Sequence, residues 1–351
     1  MPRPVPAGLP RCPRHSTSVV TRRGRYGLRQ RQLLQCRPPR GAPHTFAEPS
    51  SETVRHFHYP IDEIAHALVL LGRGTSYNLT AYEARERSGR TPSSDTYLPA
   101  FWLQRFAPAI LQELLPQPEQ LGIVLIDQAP FHVAAVDGRG YAIPGGRMRF
   151  TVFGAASQTR VHAPLTVLRL GASWRKDIPS WRSFLTSVPG EAELIVCDGE
   201  AAINQTARLR WPDAKLSISE WHVLHRAEEI LEKAGRHSRR DPLYVALRHS
   251  LRTAADWRRF VRLSRASRLP ALEGWINEVE AVIRGQLRRR EHPRSTGALE
   301  AKLAEIKKML TLQRGSYDSL ERLNLLLGLV TLRANHLDRE MRFAEIIRRS
   351  C

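Results

Sequence analysis

Gly122-Ile-Val-Leu-Ile-Asp127 and Glu193-Leu-Ile-Val-Cys-Asp198 decide the fold. Each is a short apolar run rich in β-branched residues, the texture of a strand buried on both faces, and each ends in a carboxylate. Between them lie Phe131-His-Val-Ala-Ala-Val136, Arg149-Phe-Thr-Val-Phe153 and Leu165-Thr-Val-Leu-Arg-Leu170. Turn chemistry at Asp137-Gly138 and Gly145-Gly146 predicts hairpin links among these runs. A helix is expected from Asp177 to Ser187, and Gly199 turns the second acidic strand into a helix that runs to about Arg210. Trp211-Pro212-Asp213 stops that helix, and Ala214-Lys-Leu-Ser-Ile-Ser219 reads as a last strand.

Three mostly antiparallel strands, then helix, strand, helix and strand, is the order of a ribonuclease-H-like α/β core, here at residues 121–219. Open α/β sheets place their ligands at the C-terminal ends of strands, where Asp127 and Asp198 both stand. Either acid alone would be an ordinary turn or helix cap. Two neighbouring carboxylates repel and need a cation, and hard oxygen ligands suit Mg2+ or Mn2+. A pair of such ions can activate an attacking hydroxyl and stabilise the leaving oxygen at a phosphodiester.

Downstream, residues 220–293 read as a helical, Arg-rich insertion, and residues 294–351 as C-terminal helices that complete the core. Pro293-Arg-Ser-Thr-Gly-Ala-Leu-Glu300 opens a helix whose apolar stripe is Leu299, Leu303, Ile306 and Leu310. Glu300 lies beside that stripe, one turn from the helix start, placed to lean over the sheet as a third metal ligand. Glu305 and Glu321 compete for this role, and periodicity does not separate them.

Upstream, a linker at Pro92 to Asp95 leads into residues 93–120, with a connecting helix from Leu98 to Leu115. Ile61, Ile64, Ala65, Leu68 and Leu71 follow the period of an amphipathic helix, with Asp62 and Glu63 in its first turn. Gly72 and Gly74 break it, and Ser76 to Ser88 resumes a helical pattern with Thr80 as its N-cap. Helix, turn and second helix with Arg85, Arg87 and Arg90 at its end make residues 58–92 a helix-turn-helix expected to read DNA, the alternative being a plain helical hairpin. Residues 1–48 carry Cys12, His15, Cys36 and His44. Two Cys and two His can close a tetrahedral Zn2+ shell and replace the core that so polar a segment lacks, and the alternative is a disordered basic leader.

Lys and Arg number 54 against 34 Asp and Glu, a formal charge of +20 with pI near 10.8, so a polyanionic partner, nucleic acid first, is expected. Ten arginines and no acid or lysine fall in residues 1–47. The rest of the excess concentrates at Arg236 to Arg240, Arg258 to Arg268 and Arg284 to Arg290. A hydrophobic content of 42% excludes a wholly disordered basic tail. Four scattered cysteines do not make a secreted disulfide scaffold, so a reducing cytoplasm is expected. No apolar run has membrane-spanning length, and the basic N-terminus lacks the apolar stretch of a secretory signal. Spaced Cys and His also set that segment apart from a mitochondrial transit peptide.

Val-Leu-Ile-Asp127, Leu-Ile-Val-Cys-Asp198-Gly199, Ser219-Glu-Trp-His222, Arg294-Ser-Thr-Gly-Ala-Leu-Glu300, Arg314 and Arg322-Leu-Asn-Leu-Leu-Leu, in that order, resemble the DDE transposases of prokaryotic insertion sequences. The likeness is to the Mutator-like group with a helical insertion before the last acid, and it spans about residues 60 to 350. The N-terminal Cys/His segment also looks like the zinc-ribbon-like start of such proteins. The resemblance implies that Asp127, Asp198 and Glu300 are the catalytic triad, holding two Mg2+ (or Mn2+) that serve cleavage of transposon ends and strand transfer to target DNA. It implies a catalytic role for His222, from a Cys or Asp, two residues, then His motif, although Ser219 departs from its first position. Trp221 is read as core, with a contact to flipped bases as the alternative, and His225 as a helix-surface residue.

The partners so implied are terminal inverted repeats and target DNA, met by Arg22, Arg23, Arg25, Arg85, Arg87, Arg90, Arg288 and Arg289. A homodimer or higher oligomer in the bacterial cytoplasm, at the nucleoid, and no membrane, complete the expectation. Two alternatives stay open: a non-catalytic DNA-binding regulator derived from a transposase, and a metal-dependent nuclease without strand transfer.

Overall fold

A computed structural model describes residues 19–26, 31–39, 41–47, 59–89, 96–136, 142–160, 163–236, 238–289, 295–312 and 319–350. They divide into two compact units, one drawn from 1–71, 75–110 and 338–351, the other from 72–74 and 111–337.

In the first unit, β1 (Val19–Tyr26), β2 (Arg31–Arg37) and β3 (His44–Ala47) form an antiparallel sheet in that order. Val20, Leu34 and Cys36 are its small buried cluster. Helix α1 (Ile61–Gly72) buries the predicted stripe, Ile61, Ile64, Ala65, Leu68 and Leu71. The N-cap of helix α2 (Tyr77–Arg87) is Ser76, four residues before the predicted cap. Ser76 Oγ accepts from the Leu79 amide at 3.3 Å, while Thr80 is buried inside the helix. Helix α3 (Tyr97–Leu114) matches the expected connecting helix to within a residue at each end.

The second unit is built on five strands: β4 (Gln120–Val136), β5 (Ala142–Gln158), β6 (Thr166–Ser173), β7 (Glu191–Cys197) and β8 (Lys215–Ile218). Helix α4 (Ile178–Thr186) precedes β7, and α5 (Ala201–Arg210) links β7 to β8. The order across the sheet is β6-β5-β4-β7-β8, antiparallel from β6 to β4 and parallel from β4 to β8. This mixed α/β sheet is compatible with the ribonuclease-H-like core expected from the sequence. Helices α6 (Glu220–Lys233), α7 (Pro242–His249), α8 (Ala254–Ala266) and α9 (Pro270–Arg289) follow, then α10 (Gly297–Leu312) and α11 (Leu320–Ala334). The last helix, α12 (Glu340–Arg349), belongs to the first unit.

One strand division and one turn prediction need correction. Gly122–Asp127 and Phe131–Val136 lie on one continuous strand, because β7 pairs with β4 only as far as Ile126. Beyond that point β4 has a partner on one side alone, and Pro130 interrupts no two-sided ladder. Gly145 and Gly146 lie inside β5, where the register slips between the Ala134–Arg147 and Val136–Ala142 pairs; the glycines serve that irregularity instead of a hairpin turn. Asp137-Gly138 falls outside the described residues.

The sheet's core sets Phe153 against Trp181, ring centroids 4.1 Å apart, with Ile126, Ile195 and Leu168 around them. Helices α6–α9 have a core of their own that includes Trp257, Phe260, Leu231, Leu247, Ile276 and Ile283.

Side-chain amides occupy both edges of the sheet. Gln286 of α9 accepts from the Ile218 N–H and donates to its carbonyl, each at 3.2 Å, and Arg289 donates to Leu216 O at 3.0 Å. On β6, Asn335 accepts from the Val167 N–H at 2.9 Å and donates to its carbonyl at 2.7 Å, while Asn324 accepts from Ala172 N–H at 2.6 Å. Each amide stands in for a neighbouring strand, satisfying backbone groups that a sheet edge otherwise leaves unpaired. No helix among the described residues is long and apolar enough to cross a membrane.

Candidate metal centre

The elements that end at one place in the sheet bring four predicted side chains toward each other. Asp127 closes the two-sided, fully buried stretch of β4 and is itself 2% exposed. Asp198 follows β7 directly. The next residue, Gly199, has φ +88°, and a Cβ there would stand 2.6 Å from Ile218 Cγ2, so only glycine makes this turn without strain. The turn brings the Glu200 amide onto Asp198 Oδ1 at 2.8 Å.

His222 lies in the first turn of α6 and Glu300 in the first turn of α10. Both helix starts are tied to the end of β7: Ser219 donates its amide to Cys197 O at 2.8 Å, and the Thr296 amide donates to Ser219 Oγ at 3.4 Å. Thr296 Oγ1 donates to Glu300 Oε1 at 2.7 Å and holds that carboxylate toward the sheet. Ser219, which departs from the family motif, thus has a positional role.

His222 Nε2 sits 3.5 Å from Asp127 Oδ2 and 3.3 Å from Glu300 Oε1. One ligand atom from each of Asp127, His222 and Glu300 lies within 4.8 Å of the others. Asp127 Oδ2 and His222 Nε2 are buried without a hydrogen-bond partner, which is the state of donor atoms that await a cation. Two carboxylates and an imidazole fit Mg2+ through their oxygens and Mn2+ through the full set.

Asp198 stands outside that trio and is joined to it through Gln128. Gln128 Nε2 donates to Asp198 Oδ2 at 3.0 Å, and the Gln128 amide donates to Asp127 Oδ1 at 2.7 Å. Burial is the main force pushing the Asp198 carboxyl up to about 6, against the bond from the Glu200 amide and with help from the Glu200 and Asp127 charges. Burial opposes the charged form of His222, yet its pKa is raised, because Asp127, Asp198 and Glu300 together outweigh the lost hydration.

Asp198 and His222 open onto a cavity of about 550 Å³ that Lys176, Glu200, His225 and Arg226 also line. Lys176 Nζ meets Glu200 Oε1 at 2.6 Å at its mouth. Trp221, expected in the core, is 52% exposed. It stacks on His225, centroids 4.8 Å apart, and meets His222 edge-on. His225 is a surface residue, as expected, with Nε2 3.4 Å from Glu229 Oε1.

The competing acids stand elsewhere: Glu305 is exposed and paired with Lys302 at 3.0 Å, and Glu321 is exposed at the start of α11. Cys36 and His44 face each other as register partners across β2 and β3, while Cys12 and His15 lie outside the described residues. Arg22 and Arg23 are exposed on β1 and Arg288 on α9, whereas Arg25's side chain and Arg90 lie outside the description. Arg85 is partly buried, Arg87 donates to Glu63 at 2.9 Å, and Arg289 is engaged with the β8 edge. Sequence reasoning passed over Gln128 and Thr296; their adjacency to Asp127 and to the start of the Glu300 helix was the available signal.

No protein-family model matches the chain, and no curated protein matches it. Among solved structures it is similar to the Drosophila P element transposase strand transfer complex, with 10% identity over 83% of this chain and 80% of that chain and a TM-score of 0.28.

Proposed function

We propose that the chain is a metal-dependent phosphoryl-transfer enzyme acting on DNA, a DDE-type transposase with a ribonuclease-H-like core. The observation that carries the reading is the meeting of Asp127, His222 and Glu300 around two unpartnered buried ligand atoms, with Asp198 linked to them through one amide. Asp127, Asp198 and Glu300 would hold Mg2+ or Mn2+. The ions would supply charge stabilisation at phosphorus and activation of a water or 3′ hydroxyl. The raised pKa of His222 favours its protonated form between the Asp127 and Glu300 carboxylates, and a cation held there would favour the neutral imidazole instead. Lys176 and Arg226 line the same cavity, each paired with an acid there, Glu200 at 2.6 Å and Glu229 at 2.9 Å, so a phosphate would have to exchange for those carboxylates.

In this reading residues 1–48, with Cys12, His15, Cys36 and His44 around Zn2+, and α1–α2 as a helix-turn-helix, read terminal inverted repeats. Residues 121–219 with the C-terminal helices make the core, and residues 220–293 are the insertion. Joining two ends to a target calls for a homodimer or larger assembly in the bacterial cytoplasm. In the test, purified Asp198→Asn protein keeps its affinity for end DNA and loses Mg2+-dependent nicking, and undiminished nicking sinks the assignment. Assay of joined products separates a transposase from a nuclease that only cuts.

A further inference from the structure

We propose that Gln128 is a positioning residue that sets the two strand-end carboxylates in register for the cation; this rests on the metal-centre reading above. Neighbouring residues of a strand point to opposite faces, so a residue next to Asp127 does not share its site by default. Gln128 shares it because Ile126–Cys197 is the last paired position between β4 and β7, and the edge of β4 toward Asp198 has no strand neighbour after it.

One residue then makes two bonds. Its main-chain N–H holds Asp127 Oδ1 at 2.7 Å, and its side-chain Nε2 holds Asp198 Oδ2 at 3.0 Å. The Glu200 amide takes the other Asp198 oxygen, and Asp127 Oδ2 is left facing His222. The chemistry of the donor matters. A lysine or arginine at this position would neutralise the acids and compete with the metal; a glutamate would add to their repulsion. A neutral amide fixes the geometry and leaves the charge for the ion. Gln128 Oε1 is buried with no partner, so the side chain holds this position at the cost of an unmet acceptor.

The test is Mn2+ binding by the full chain, followed by the electron paramagnetic resonance of free Mn2+, for wild type, Gln128→Met and Gln128→Asn. Methionine keeps the length and loses the donor; asparagine keeps the amide and loses the reach. Both variants should bind Mn2+ about 10- to 100-fold more weakly, the range for loss of a group that orients a metal ligand. DNA affinity in EDTA should stay at the wild-type value, and far-ultraviolet circular dichroism should show the native fold, with a thermal midpoint lowered by a few degrees for the donor lost to Asp198. Wild-type Mn2+ affinity in a folded variant of either kind overturns the role of Gln128. Absence of Mn2+ binding by wild type overturns the metal-centre reading itself, and the positioning role with it.

Discussion

His222 Nε2 lies 3.5 Å from Asp127 Oδ2, an ion-pair distance at the long limit of a hydrogen bond, and 3.3 Å from Glu300 Oε1. Without a metal, the imidazolium is the cation nearest these carboxylates. Its folded-state pKa is raised above the unfolded value near 6.5, so the stabilisation it brings is complete below that pH and fades as pH rises through the folded value. His222→Gln should therefore lower the thermal midpoint in EDTA at pH 5.5, and the deficit should shrink by pH 8.5. A deficit that grows with pH would contradict the pairing.

Asp198 makes the opposite comparison. Its carboxyl is pushed up to about 6 from 3.8, chiefly by burial, so ionisation in the folded chain works against folding above about pH 4. That difference corresponds to roughly 3 kcal/mol as an upper bound. Asp198→Asn keeps one acceptor, for the Glu200 amide, turns an NH2 toward Gln128, whose unmet Oε1 can take it once that amide rotates, and removes the charge. The variant should melt several degrees higher than wild type in EDTA at pH 7.5, the gain should vanish toward pH 4, and Mn2+ binding should be lost. Added Mn2+ should raise the wild-type midpoint alone. Equal midpoints at pH 7.5 would show that Asp198 is solvated.

Gln286 offers a test of the sheet edge. Replacing it with leucine keeps the bulk of a buried position and strips the Ile218 N–H and C=O of both partners. Two unmet backbone groups should cost about 2–4 kcal/mol, read by urea unfolding. A loss under about 0.5 kcal/mol would mean that water takes over the edge.

Much of the sheet and most of the candidate site were legible in the sequence, for reasons particular to the residues. Asp127 and Asp198 end apolar runs that are buried on both faces, and burial on both faces shows in a sequence as an unbroken apolar run. The stripe Leu299, Leu303, Ile306 and Leu310, all buried, sets Glu300 beside the core face, although periodicity does not separate it from Glu305 and Glu321. Gly122–Asp127 and Phe131–Val136 read as separate runs in the sequence because the tolerance of Pro130 inside β4 depends on where β7 stops, 67 residues further along the chain. Trp221 was misplaced although α6 carries the information: Val223, Ala227, Ile230 and Leu231 form the buried face, and Trp221 falls opposite it at helical spacing. The Gln128–Asp198, Gln286–Ile218 and Asn335–Val167 bonds span 68 to 168 residues and leave no local pattern.

The arginines expected to meet DNA differ in how far they are engaged within the protein. Arg258, Arg262 and Arg265 recur at i, i+4 and i+7 on the face of α8 opposite the buried Trp257, Phe260, Val261 and Ser264, with Arg259 beside them. Arg265 is 3.6 Å from Glu280 and Arg258 Nε donates to Ala254 O at 3.2 Å within its own helix, which leaves its terminal NH2 groups outward; among the described residues no ion pair joins Arg258, Arg259 or Arg262 to an acid. Arg87 and Arg289, by contrast, are engaged with Glu63 and Leu216 O. A guanidinium already bonded within the protein has less to give a phosphate than an unengaged one. Each phosphate contact contributes about −0.9 to the slope of log K against log salt on duplex DNA. Replacing Arg258, Arg259 and Arg262 together with glutamine should therefore make that slope shallower by about 2–3, and weaken binding equally on specific and random duplexes. Arg87→Gln and Arg289→Gln should leave the slope nearly unchanged and lower the thermal midpoint instead. The reverse pattern would place the DNA path away from α8.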